Sequence, residues 1–245
     1  MWVVTGISTG LTQGFSIQLS QYYGAKDFEN LRKSLAHSYR LTAFIAAGVL
    51  ILSQSFASLV LTGLHTPSNI IGMSLLYLRI IFCGIPATAA YNMFAAALRA
   101  MGNSKTPLTA MIIASVLNIS LDILFVAGFG WGVAGAAIAT VIAQSFSAVY
   151  CFLILRRIDI VHLTRADFMP ASGMNARLMK LGIPVVFQNI IIGVGGLVVQ
   201  YVINGYGFLF VAGFTATNKL YGLLEMAAIS YGSVSYTHLR AHETA

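Results

Sequence analysis

PLTAMIIASVLNISLDILFVAGFGWGVAGAAIATVIAQSFSAVYCFLIL, residues Pro107–Leu155, decides the fold. It holds two apolar blocks, Pro107–Ala127 and Trp131–Leu155, joined by the short turn Gly128–Gly130. Each block is close to the ~20 residues that a helix needs to cross a bilayer. Strands of a membrane barrel would be shorter and would alternate apolar and polar residues. These blocks are apolar all round, with small residues scattered through them, so the pattern predicts helices. Asp122 is the one charged residue in the whole stretch.

Working outward, five further blocks share that character: Met1–Gln21, Leu41–Thr62, Asn69–Arg99, Leu181–Asn204 and Phe208–Ser233. The chain is 58% hydrophobic and 9% charged over 245 residues, with a mean hydropathy of +0.81. A soluble domain carries about a quarter charged residues, so too few are present to cover a water-exposed surface. The expected fold class is an all-α polytopic membrane protein with about seven transmembrane helices. Cys83 and Cys151 both fall inside apolar blocks, which suggests neither a disulfide framework nor a metal site.

The net charge of +7 would suit a nucleic-acid partner, but its placement argues for none. Lys26, Arg32, Lys33 and Arg40 follow the first block. Arg99 and Lys105 flank the third connection, and Arg156, Arg157, Arg165, Arg177 and Lys180 occupy the fifth. The alternate connections, Gly63–Ser68, Gly128–Gly130 and Gly205–Gly207, hold no Lys or Arg. Basic residues mark cytoplasmic loops, so the charge reports topology: a multi-pass protein of the cell inner membrane, with the lipid bilayer as its partner. Pro107 and Pro184 suit helix starts. Pro86 falls inside a block and should kink it.

An ionisable side chain within a membrane helix points to function. Arg79, Asp122, Lys219 and Glu225 qualify, and Asp122 stands first. Asn118 lies one turn before it on the same face. Thr140, Tyr77 and Arg79 should reach a similar depth from neighbouring spans. Oxygen-rich groups suit a hard cation such as sodium, and a carboxylate there could carry a proton instead. The alternative is a structural ion pair between Asp122 and Arg79. Glu225 shares a small, polar face with Thr215, Asn218 and Gly222. With Asn218, Gln188 and Asn189 it forms a candidate substrate cavity, although Gln188 and Asn189 could equally bond helix to helix. The sequence shows no phosphate loop, zinc motif or Ser–His–Asp arrangement, so an enzyme is not expected and no cofactor is called for.

Several motifs together resemble the multidrug and toxic compound extrusion (MATE) transporters. They are GFSIQLSQYYGAK at Gly14–Lys26, ALRAMGNSKTP at Ala97–Pro107, NISLD at Asn118–Asp122, GVAGAAIAT at Gly132–Thr140 and KLGIP at Lys180–Pro184. The resemblance implies a twelve-helix, two-lobe fold of which this chain covers about helices two to eight. On that pattern residues 1–155 hold five helices of the amino-terminal lobe, 156–180 the cytoplasmic connection, and 181–233 the start of the second lobe. The resemblance also implies a cation site at Asp122, Asn118, Thr140 and Tyr77. A family aspartate on the first helix has no counterpart here. The function implied is a monomeric antiporter, driven by sodium or protons, that exports small lipophilic or cationic drugs by alternating access. A lipid-linked precursor flippase is the alternative, as is an inactive truncated fragment. Residues 234–245, VSYTHLRAHETA, are foreign in composition to the rest and look like a translated sequencing adaptor.

Overall fold

The computed structural model describes residues 2–169, 173–207, 209–222 and 224. Seven α-helices form in chain order: α1 (Trp2–Gly24), α2 (Phe28–Gly63), α3 (Ile71–Cys83), α4 (Ile85–Ala100), α5 (Lys105–Asp122), α6 (Gly132–Leu155) and α7 (Met174–Asn204). Residues 209–222 are helical as well. The described residues contain no strand. Four helices are long and apolar enough to cross a membrane, namely α2, α5 with its extension to Gly128, α6 and α7. The bent pair α3 and α4 makes a fifth when the two are counted as one broken span. The protein is therefore a multi-pass membrane protein. α1 is 23 residues long but rich in Gly, Ser, Thr and Gln, because it runs inside the bundle against α7, α4 and α2.

The expected kink is a full break. α3 and α4 meet at 45° around Gly84, with Pro86 in the first turn of α4. A proline removes one backbone donor and clashes with the preceding turn, so it is accommodated where a new helix begins. Gly84 also lies so close to α6 that a Cβ there would stand 2.8 Å from Val141 Cγ2.

Two helices extend well beyond their apolar blocks. α2 begins at Phe28 rather than Leu41, capped by Asp27, whose Oδ1 accepts from the Asn30 N–H at 3.2 Å. Its first turns are amphipathic and bury Leu31, Ser34 and Leu35. α7 begins at Met174 rather than Leu181, after Gly173 in the left-handed region. Pro184 consequently sits inside α7 and not at its start. Hydropathy marks only the part of a helix that needs lipid, and both of these helices run on into the polar end.

The connection between α6 and α7 is tied down there. It forms two 3-10 turns, Asp159–Val161 and Arg165–Phe168. Asp167 is buried, closes a capping box with Thr164, and lies 3.9 Å from Arg32 Nε. Arg40 donates to the Phe168 carbonyl at 3.0 Å. His37 is 2% exposed; its Nε2 donates to the Met169 carbonyl at 3.1 Å and its Nδ1 meets the Asn175 amide at 2.7 Å.

Candidate functional site

The α5/α6 seam is built by antiparallel packing of two helices whose facing residues recur every three or four positions. On α5 one face carries Ala110, Ala114, Asn118 and Asp122; on α6 one face carries Thr140, Gln144, Ser147 and Cys151. Both runs return to the same face at helical periodicity. Ala110 and Cys151 lie in one buried cluster together with Tyr91 of α4. Tyr91 also donates to the Pro107 carbonyl at 3.4 Å, which places α4, α5 and α6 together at the basic end. From that anchor each helix rises 1.5 Å per residue. Asn118 and Gln144 therefore reach similar heights, and Asp122 and Thr140 lie about one turn above them.

This seam changes character along its length. Near the basic end it is apolar and closed. Higher up it holds three buried polar atoms without a hydrogen-bond partner: Asn118 Nδ2, Asp122 Oδ1 and Gln144 Oε1. An unpaired buried polar group costs about 1–3 kcal/mol. Thr140 spends its hydroxyl hydrogen on the Ala136 carbonyl at 3.0 Å, which leaves its oxygen lone pairs available. Asp122 is the last α-helical residue of α5. The chain then widens into a π-helical segment, Ile123–Gly128, with Phe129 N–H bonded to the Leu124 carbonyl at 2.9 Å. Such π turns recur at functional sites. The segment carries Phe125 onto Gly135, where a Cβ would stand 2.9 Å from the phenylalanine Cβ. Phe125, Phe129 and Trp131 cluster at that end, with ring centroids 5.0–6.1 Å apart, as expected of an interfacial aromatic belt.

Tyr77 lies where α3 packs on α6 and is not brought to the depth expected of it. It lines a cleft with Ile70, Met73, Ser74, Leu78 and Val133. Val133 lies two turns before Thr140 on the same face of α6, so Tyr77 sits about 10 Å nearer the aromatic end. Arg79 is exposed and forms no ion pair with Asp122; the ion pairs among the described residues lie elsewhere. The structural pairing of Asp122 with Arg79 is thus not made. Helical phase explains it: Arg79 lies on the outward face of α3, where only its backbone carbonyl is engaged, by Gln54 at 2.8 Å.

A family model described as MatE matches residues 1–124, just over half of the chain. The chain belongs to the MatE family. It is 32% identical over 224 residues to the probable multidrug resistance protein YpnP of Bacillus subtilis, covering 91% of this chain and 50% of that protein. It is 25% identical to the multidrug export protein MepA of Staphylococcus saprophyticus, again over 91% and 50%. Among solved structures it resembles the inward-facing conformation of a multidrug resistance MATE family transporter of the MOP superfamily. That match has 22% identity and a TM-score of 0.75, over 83% of this chain and 46% of that one. The chain spans about half the length of the curated relatives it matches.

In this MatE chain the remaining candidates are scattered. Asn189 donates to the Gly6 carbonyl of α1 at 3.1 Å, so it bonds helix to helix, and it also borders a cavity of about 410 Å³ with Thr9, Ile192 and Gly193. Gln188 and Asn218 are exposed. Glu225 and residues 234–245 lie outside the described residues. A second cleft of about 380 Å³ opens between α2, α4 and α6, lined by Tyr39, Thr42, Leu50, Met93, Phe94 and Phe152. Gln144 was not among the residues singled out from sequence. The available signal was its spacing of one turn from Thr140.

Proposed function

We propose that this chain is part of a cation-coupled exporter of lipophilic or cationic small molecules in the cell inner membrane. The observation that carries the reading is the Asp122 oxygen, buried on a membrane helix beside an equally unpaired Asn118 amide. A fold gains nothing from leaving such groups unsatisfied unless something binds them. A hard cation accepts oxygens of this kind, and a proton would suit the carboxylate. Asp122, Asn118 and Thr140 would hold the ion, and Tyr77 would stand at the aromatic mouth of the seam.

Coupling then follows from differential affinity. An ion shifts an equilibrium between outward- and inward-open states only as far as it prefers one of them. The α3/α4 break supports such a role, because Gly84 touches α6 beside Thr140, at the depth of the polar seam. The apolar cleft lined by Phe94, Phe152 and Met93 suits lipophilic substrates. The names of the two relatives, a probable multidrug resistance protein and a multidrug export protein, agree with this choice. A flippase for lipid-linked anions has less support, since its cavity would call for several basic residues and the spans offer few, chiefly Arg79 and Lys219. The chain is expected to work as a monomer without a resident cofactor.

Asp122→Asn in the intact transporter should abolish export of ethidium while leaving the protein inserted at normal levels. Efflux equal to the parent would overturn the reading.

A further inference from the structure

The two helices of the seam contribute unequally to what is known from motifs. α5 offers Asn118 and Asp122, both within the NISLD motif. α6 offers Thr140 from its motif, yet the atom it leaves buried and unpartnered is Oε1 of Gln144. Gln144 lies four residues after Thr140 and seven before Cys151, hence on the same face as both. Cys151 is fixed against α4 and α5 by the cluster that includes Ala110 and Tyr91. Two turns above Cys151 on α6, and two turns above Ala110 on α5, stand Gln144 and Asn118. The helical register thus brings the two amides to one height, with the Asp122 carboxylate a turn above.

We propose that Gln144 is a cation ligand of this seam and that it sets the preference for sodium over a proton. The proposal rests on the transport reading above. Asp122 supplies one negative charge, which matches a monovalent cation. Gln144 supplies a neutral carbonyl oxygen, and the Asn118 amide, turned about its terminal bond, presents another in place of its nitrogen. A carboxylate with two amide oxygens is a hard, oxygen-only donor set. Amide oxygens do not take up a proton near neutral pH, so their presence favours the metal ion specifically. An apolar residue at position 144 would leave Asp122 able to exchange a proton but poorer at holding sodium.

The test is binding of radioactive sodium to the purified full chain, compared among the parent, Asp122→Asn, Gln144→Leu, Gln144→Met and Gln144→Glu, with thermal melts run alongside. Loss of sodium binding is expected for Asp122→Asn. Gln144→Leu and the near-isosteric Gln144→Met should weaken sodium by at least about tenfold, the lower end of what losing even an outer-shell partner costs, whereas Gln144→Glu keeps an oxygen and should retain it. Gln144→Met decides the matter if the leucine variant fails to fold. Parent-like sodium affinity in Gln144→Met would overturn the proposal and leave the transport reading intact. So would equal weakening in Gln144→Glu, which would mark a packing role only. Undiminished sodium binding by Asp122→Asn would overturn the site itself. If the parent binds no sodium while Asp122→Asn still loses ethidium export, the selectivity proposal falls and coupling through Asp122 stands.

Discussion

Asn118 and Asn189 are both asparagines inside apolar membrane helices, and their surroundings are opposite. Asn189 sits in the α1/α7 seam, where Gly6, Gly10 and Gly14 let two backbones touch. A Cβ at Gly10 would stand 2.9 Å from Val186 Cα, and one at Gly14 would run into the Cα of Gly182. There the Asn189 amide finds the Gly6 carbonyl at 3.1 Å. Asn118 sits in the α5/α6 seam and has a buried nitrogen without a partner, as do its neighbours Asp122 and Gln144 for an oxygen each. The α1/α7 seam has its own exception in Gln18, whose Nε2 reaches Met174 Sδ at 3.1 Å while its Oε1 is unpaired. The Ser34, Ser38 and Thr42 hydroxyls are also without a partner; they lie one turn apart along a single face of α2 and carry no charge. Among the described residues, the α5/α6 seam gathers two such amides at one height and a carboxylate a turn above them. The same residue type therefore bonds across one seam and is left without a partner in the other.

The comparison breaks most visibly at its tightest point. Gly14→Val should cost roughly 1–3 kcal/mol or more, because backbone rather than a flexible side chain blocks the new methyls. Thermal melts of the purified protein in detergent check this, and an unchanged melting temperature would mean that α1 and α7 do not touch as described. The paired and unpaired asparagines give the sharper contrast. Asn189→Leu removes the donor to a membrane-embedded carbonyl and should lower stability by about 1 kcal/mol. Asn118→Leu removes an unsatisfied group and should leave the melting temperature equal or higher, with ethidium export lost. Stability falling equally in both would erase the distinction.

The smallest effect is expected away from both seams, at the Asp27 cap of α2. Hydrogen bonds from the Asn30 side chain and backbone hold the Asp27 carboxyl below its ordinary range. A depressed folded value means that the cap stabilises above the ordinary carboxylate range and fades as pH falls through the lowered value. Asp27→Ala should therefore lower the melting temperature slightly at neutral pH, and the difference from the parent should shrink on acidification. Melting curves at pH 7 and at about pH 3 would show it; a gap that widens in acid would contradict the assignment.

Several features were legible in the residues alone. Membrane helices followed from apolar block length, since the bilayer imposes it; seven blocks were read, whereas four described helices, with the bent α3/α4 pair making at most a fifth, are long and apolar enough to cross. Asn118, Asp122 and Thr140 could be singled out as candidates because a polar group in a long apolar block stands out. The reach of α2 and α7 past the apolar blocks was not, because hydropathy does not register helices that bury a stripe against protein at the polar end.

What only the tertiary structure decided was partnership. Whether Asn189 bonds to Gly6, whether Arg79 meets Asp122, and whether Gln144 has a partner depend on helical phase and register between elements far apart in sequence. The α3/α4 break at Gly84 and the π turn after Asp122 reset that phase in ways that no periodicity count anticipates. The amino-acid sequence determined which segments enter the membrane and which polar groups they carry. The packing of α4, α5 and α6 determined which of those groups were left unsatisfied, because a hydrogen bond is specified by a few tenths of an ångström and hydropathy only by the length of a block.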